Sequence, residues 1–372
     1  MTAHIRTELE HSDGWIPFER YMELALYAPA LGYYSAGATK LGVAGDFVTA
    51  PEISDLFAGA VAAQFAEILQ ETGGGVLELG AGTGRFAGAA LRSLADRRLL
   101  PDGYSILEVS ADLIARQRDA VASMAGGFAS RATWLSRLPK TFSGVVFANE
   151  VLDALPCDRF VIANGQPERL GVQWDGRRFG WAACSAAAAA ADDAWRERVT
   201  AALAGLAPLP EGYCGEVCLN VEAWIAGIAA ALERAVVILI DYGLPRRHYY
   251  HPERSAGTLR AHFRHRALDD PFWYPGLCDL SAWVDFTRVA EAGQAAGLEL
   301  AGFTTQAAFL LANGIGEQAS TLSARGQAEQ AHALRQLLLP GEMGEAVKVM
   351  MLSKGVDRAW QGLALVDLRD SL

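Results

Sequence analysis

The chain has little of what a membrane, secreted or nucleic-acid-binding protein carries. Its apolar runs are short. Ala235 to Ile240 is far below the ~20 residues that a spanning helix needs. Met1 to Glu10 has charges of both signs and no apolar core, so it does not read as a signal peptide. Cysteine is sparse, at positions 157, 184, 214, 218 and 278. Cys214 and Cys218 form a C-x3-C pair, but no second pair or nearby histidine completes a metal set. These are expected to be free thiols in a reducing compartment. Basic excess is also missing. Lys and Arg number 32 against 43 Asp and Glu, a net charge of −11, which argues against nonspecific nucleic-acid binding. The chain reads as soluble and cytoplasmic, with no membrane insertion. Its oligomeric state is not legible, and there are no internal repeats.

What remains is a packed globular protein. Apolar residues make up 51% of the 372, and mean hydropathy is +0.14. The densest signal is Val76-Leu77-Glu78-Leu79-Gly80-Ala81-Gly82-Thr83-Gly84-Arg85. An apolar strand carrying one acid runs into three glycines spaced two apart, and a helical pattern follows at once. A dinucleotide fingerprint, G-x-G-x-x-G, would need glycine at Arg85 or Ala87. G-x-G-x-G after Glu78 suits a nucleoside ligand without a pyrophosphate. It resembles motif I of class I S-adenosylmethionine-dependent methyltransferases.

Further strands are expected at 104–109, 132–135, 145–148 and 236–240, with helices over 85–97, 111–124 and 223–233 between them. This alternation predicts an α/β fold with a doubly wound parallel sheet, which binds ligands at the carboxyl ends of its strands. Segments 298–303 and 346–352 are expected to be the last two strands, as an antiparallel edge hairpin. Several segments fall outside that core: an N-terminal extension 1–70, an insertion 159–233 and a loop-rich stretch 244–282. The core itself is expected over 71–158 and 234–354. Asp175-Gly176 predicts a hairpin turn, and Ala186–Ala191 a loop or helix start.

Candidate site residues gather near the strand ends. Glu108, 28 positions after Gly80, is placed to accept both ribose hydroxyls of an adenosine. Glu78 is expected to orient the glycine turn or receive an amino group, and Trp134 to flank the adenine. Asn149, Glu150 and Asp153 follow a buried strand, where unpaired polar groups are costly unless a ligand or network satisfies them. Asp46 and Glu52 lie in a loop punctuated by glycine and proline before a helical run, Ile53 to Leu69. His248, His251, His262 and His265 read as a hydrogen-bonded loop cluster rather than a metal site. Asp279 and Asp285 are divided between capping a helix and facing the pocket.

Together the motifs support a stronger comparison. GYY at 32–34, GDFVTAPEIS at 45–54, ELGAGTGR at 78–85, EVS at 108–110 and ANEVLDALP at 148–156 occur in order. DYG at 241–243, CDLSAWVDF at 278–286, FLLANGI at 309–315 and LLLPGEMGEAVKVMML at 337–352 continue them. The chain resembles the MidA family, whose mitochondrial members are complex I assembly arginine methyltransferases. The resemblance spans nearly the whole chain. It implies the class I methyltransferase sheet of seven strands, with inserted lid or substrate segments, and S-adenosylmethionine as cofactor. It implies a protein substrate and symmetric dimethylation of an arginine in a complex I subunit. The expected cofactor residues are Glu78, Gly80, Gly82, Gly84, Glu108, Trp134 and Asn149. The expected acceptor clamp is Glu150 and Asp153, with Asp46 as a third acid and no metal. Two other readings stay open: a non-protein acceptor, or an assembly factor that binds without catalysing.

Overall fold

The computed structural model describes residues 1–35, 49–184, 189–264 and 266–372. Asp46, His265 and part of the Ala186–Ala191 run lie outside these described residues.

Seven strands form the central sheet: β1 (Gly75–Leu79), β2 (Tyr104–Leu107), β3 (Ala132–Leu135), β4 (Phe142–Asn149), β5 (Leu232–Leu244), β6 (Glu299–Thr305) and β7 (Val347–Lys354). Their order is β3-β2-β1-β4-β5-β7-β6, and the two-residue strand Val284–Asp285 pairs off β5. All neighbours from β3 to β5 are parallel, while β7 runs antiparallel to both β5 and β6. This is the mostly parallel sheet expected from the strand–helix alternation, closed by the expected antiparallel pair. The order reverses between β1 and β4, so their carboxyl ends open a crevice there.

The expected bounds are close for β1, β3 and the helices Arg85–Asp96 and Ala111–Ala125. β5 departs most. Its helix, Val221–Ala231, ends early, and Leu232 to Arg234 continue the strand instead. Seven consecutive buried residues from Ala235 to Asp241 explain why the strand dominates there.

Two apolar layers sandwich the sheet. On one face, Phe57 and Phe65 of the helix Asp55–Thr72 meet Phe86 and Phe147, with the last pair stacked at 4.4 Å. Each such fully buried ring contributes about 1.5–3 kcal/mol over exposure. Ser54 caps that helix by accepting the Leu56 N–H at 3.1 Å. Part of the 1–70 extension therefore belongs to the sheet's own packing.

The rest of the extension joins the insertion. Ile16 and Pro17 pair antiparallel with Val172 and Gly171 of the strand Gln166–Trp174. The hairpin at Asp175-Gly176 forms, with Asp175 Oδ1 accepting the N–H groups of Arg177 and Arg178. One apolar cluster gathers Phe18, Tyr21 and Met22 with Val172, Phe179, Leu259 and Phe272. Three segments that read as separate in sequence thus share one core beside the pocket.

Candidate cofactor and acceptor site

A pocket of about 780 Å³ opens at the carboxyl ends of β1, β2 and β4. Glu78, Gly80, Gly82, Glu108, Asn149, Glu150 and Asp153 all line it, together with Glu52, Asp279, Tyr27, Tyr34 and His262. No lysine or arginine among the described residues does so.

The turn after β1 is made by glycine. Gly80, Gly82 and Gly84 have φ of +68°, +53° and +82°, where a side chain is strained. A Cβ on Gly80 would also sit 2.7 Å from Val151 Cγ2. Gly84 does not line the pocket. It caps the helix Arg85–Asp96 with its α-carbon against Gln117, where a Cβ would lie 2.7 Å from the Gln117 Cα. Its part is to let two helices approach.

Gln117 is a residue that the motifs did not reveal. It is fully buried, and its Nε2 donates to Gly82 O at 3.0 Å and to Glu108 Oε2 at 3.1 Å. Its Oε1 accepts the Trp134 indole N–H at 2.9 Å. This bond fixes the edge of the Trp134 indole, the residue expected to flank the adenine. Trp134 does not line the pocket. Its N–H is committed to Gln117, and the Arg118 guanidinium lies 5.1 Å from its ring. Glu108 is fixed further by the N–H groups of Val109 and Ser110, both at 2.9 Å. Glu78 accepts the Tyr104 hydroxyl at 2.7 Å, and burial pushes its carboxyl up to about 8.

Across β1 and β4 the chemistry changes. Glu150 has φ +52°, a left-handed backbone for a non-glycine residue. Its N–H donates to Ile240 O at 2.8 Å. Its Oε1 accepts from Asn149 Nδ2 at 3.0 Å and from Ala50 N–H at 3.2 Å. Burial, then the charge of Asp153, pushes its carboxyl up to about 8. Asp153 is raised well above the usual range by burial and by Asp241 and Asp279. Asn149 Oδ1 is buried with no hydrogen-bond partner among the described residues, an acceptor left open at the pocket.

Asp241 explains how that strained segment is held. It is fully buried, and its Oδ2 accepts the N–H groups of Val151, Leu152 and Asp153 at 3.1, 2.8 and 3.2 Å. Its place in the DYG run was the available signal. Asp279 and Asp285 divide between the two expected roles. Asp279 lines the pocket and accepts the Tyr34 hydroxyl at 3.0 Å. Asp285 caps the helix Phe286–Ala295 by accepting the Arg288 N–H. Among the described residues, no group of histidine, cysteine or acid side chains is arranged to hold a metal.

A doubly wound sheet with this order, a glycine turn after β1 and an acid after β2 defines a class I methyltransferase fold. The sequence comparison is specific. Residues 60–304 match the S-adenosyl-L-methionine-dependent methyltransferase family that includes the MidA-like proteins, and the chain belongs to that family. A Burkholderia thailandensis protein solved with S-adenosyl-homocysteine bound is 41% identical over all of this chain and 96% of its own, with TM-score 0.93. A mitochondrial protein arginine methyltransferase NDUFAF7 homolog from Drosophila melanogaster is 28% identical, covering 80% of this chain and 71% of that relative. Protein arginine methyltransferase NDUFAF7 of Homo sapiens is 27% identical, covering 79% and 69%. No helix among the described residues is long and apolar enough to cross a membrane.

The residues present fit the family's cofactor. The positive-φ glycines let a ligand touch backbone, the acid-lined pocket suits a sulfonium, and Asn149 Oδ1 awaits a donor.

Proposed function

We propose that the chain methylates a protein arginine, with a subunit of respiratory complex I, or an assembly intermediate of it, as the substrate. The observation that carries the reading is the lining of the pocket: acids at Glu52, Glu78, Glu108, Asp112, Glu150, Asp153 and Asp279, and no lysine or arginine among the described residues. Such a site favours a cation. The names of the Drosophila and human relatives and the MidA resemblance point to a guanidinium, taken to symmetric dimethylarginine.

S-adenosylmethionine, when bound, supplies the methyl on a sulfonium that leaves with its C–S electron pair. Gly80 and Gly82 would admit it, Glu108 would accept its ribose hydroxyls, and Glu78 and Asn149 would receive its amino group. The remaining work is positioning, which can supply about 7–11 kcal/mol. A guanidinium stays protonated below about pH 12, so it is a poor nucleophile. Glu150 and Asp153 would hold it bidentately and direct one nitrogen along the transfer line. That nitrogen must lose a proton as its bond to the methyl forms. Glu150, ionised by the guanidinium bound against it and with a proton affinity raised by burial, accepts that proton. Asp46, the third expected acid, lies outside the described residues and is not needed for this step.

Asp153→Asn tests the assignment. The isosteric amide keeps the shape and removes the carboxyl that a bound cation would ionise. Transfer is expected to fall by about 10³-fold or more, as for loss of one transition-state electrostatic contact. S-adenosylhomocysteine affinity by calorimetry is expected to stay within about twofold, since Asp153 stands across β4 from the glycine turn. Turnover at the wild-type rate would refute the clamp.

A further inference from the structure

A cluster of exposed apolar side chains stands beside the pocket. Trp273, Tyr274 and Leu277 are 51%, 48% and 50% exposed, and Leu31 is 41% exposed. Solvent-facing aromatics gathered in one place mark interaction sites more often than scattered ones do. The loop that bears them is built rather than slack. Phe272 anchors it in the core, with its ring 5.2 Å from Tyr21 and 4.8 Å from Trp181. Asp270 Oδ1 accepts the Phe272 N–H, and Tyr274 O accepts those of Leu277 and Cys278. Tyr274 holds φ +48° and stacks on Phe263 at 4.9 Å. Gly276 lies so close to Leu31 that a Cβ there would meet Leu31 O at 2.5 Å.

Three chain segments pass from pocket to patch within one or two residues. Pro29 and Ala30 line the pocket, and Leu31 follows. His262 lines it, and Phe263 follows. Asp279 lines it, and Leu277 lies two residues before. The patch is therefore the rim of the pocket.

We propose that this rim, formed by Leu31, Phe263, Trp273, Tyr274 and Leu277, docks the polypeptide that delivers the acceptor. The bound segment would place a cationic side chain in the acid-lined pocket and apolar residues over the aromatic loop. The inference rests on the cation-acceptor reading above. Charge chooses between occupants. A lone amino acid would fill the pocket without needing a rim. An anionic lipid surface would be repelled by a chain of net charge −11 whose rim loop begins with Asp269 and Asp270. A peptide with a cationic side chain for the acid-lined pocket and apolar residues for the rim, where the Arg264 guanidinium already lies 5.2 Å from the Phe263 ring, matches both parts.

The test uses the purified full chain, labelled S-adenosylmethionine and a protein extract from cells lacking this chain. Trp273→Ala and the double variant Trp273→Ala with Leu277→Ser change exposed side chains only. In dilute extract the double variant is expected to label protein at least tenfold less than wild type. The deficit is expected to shrink as the extract is concentrated, the mark of weakened docking, with S-adenosylhomocysteine affinity unchanged. Equal labelling at every dilution overturns the proposal, as does a deficit that persists when the extract is concentrated. Two further results overturn it in favour of another occupant: vesicles of phosphatidylcholine and phosphatidylglycerol that retain wild type but not the variant, or a wild-type dimer that the variant dissociates. Hydrolysis of the labelled protein separates the two readings. Label on another residue, still lost in the variant, keeps the rim and discards arginine. Label in arginine, unaffected by the variant, does the reverse.

Discussion

Glu108 and Glu150 both follow the carboxyl end of a parallel strand, both donate their N–H to a carbonyl of a neighbouring strand, and both line the same pocket, yet their carboxyl groups and the residues after them are held differently. Glu108 is secured by its near neighbours: two backbone N–H groups at positions 109 and 110, and Gln117 one helix further on. Glu150 has one near donor, Asn149, and takes the rest of its support from distant chain. Ala50 donates to its carboxyl, Ile240 accepts its N–H, and Asp241 grips the three residues after it. Glu108 is not among the positive-φ residues, whereas Glu150 is left-handed and its carboxyl is pushed up to about 8 by burial. The first arrangement suits the part of a site that binds a common ligand. The second stores backbone strain beside a carboxyl that burial makes costly to ionise.

The contrast is broken most severely at the glycine turn. Gly82→Val puts a β-branched side chain at φ +53°, on the path where a ligand must touch backbone. Cofactor affinity by calorimetry is expected to fall at least ~100-fold, a loss of about 2.7 kcal/mol or more, while the acids beyond β4 keep their places. Undiminished affinity would mean that the turn does not face the ligand.

Gln117→Leu removes a positioning residue from the Glu108 side. It strands the Trp134 N–H and frees Glu108 Oε2, at a cost of about 1–3 kcal/mol in stability. The cofactor KM is expected to rise about tenfold with kcat nearly unchanged, since uniform binding rather than the transfer step is weakened. Equal losses in kcat and kcat/KM would place Gln117 in the chemistry instead.

The most gradual effect, per unit of the variable changed, is a pH slope. Glu78 and Glu150 both bind protons more tightly folded than unfolded, at about 8 against a usual 4.5. Groups raised in this way contribute stability that is complete below the unfolded value and is lost as pH rises through the folded one. Urea unfolding of the ligand-free protein should therefore show stability falling between pH 5 and 8. Each group contributes at most about 1.4 kcal/mol per pH unit. Glu150→Gln should make that slope shallower. A slope of the same steepness in that variant would show that Glu150 is already ionised across the range.

The same contrast explains what was legible in the sequence. Glycine at 80, 82 and 84 and an acid at 108 are local features. Their meaning follows from a strand running into a turn and a helix, and β1 forms within one residue of its expected bounds. Glu150 and Asp153 stood out because polar side chains after a buried strand demand a reason. The rest depends on contacts that spacing does not encode. Gln117 is a polar residue inside an amphipathic helix until folding places it beneath Gly82. Tyr34 meets Asp279 across 245 residues, and Ile16 pairs with Val172 across the insertion. Trp134 reads as an aromatic after a strand in either role. Its bond to Gln117, which braces that side chain, appears only in the folded chain.

The central claim is that the acid-lined side of the pocket receives an arginine of a protein. Transfer of labelled methyl from S-adenosylmethionine into an extract lacking this chain, followed by acid hydrolysis and amino-acid analysis, tests it most directly. The account predicts label in symmetric dimethylarginine on one or a few protein bands. Label confined to small molecules, or to another residue, would contradict it.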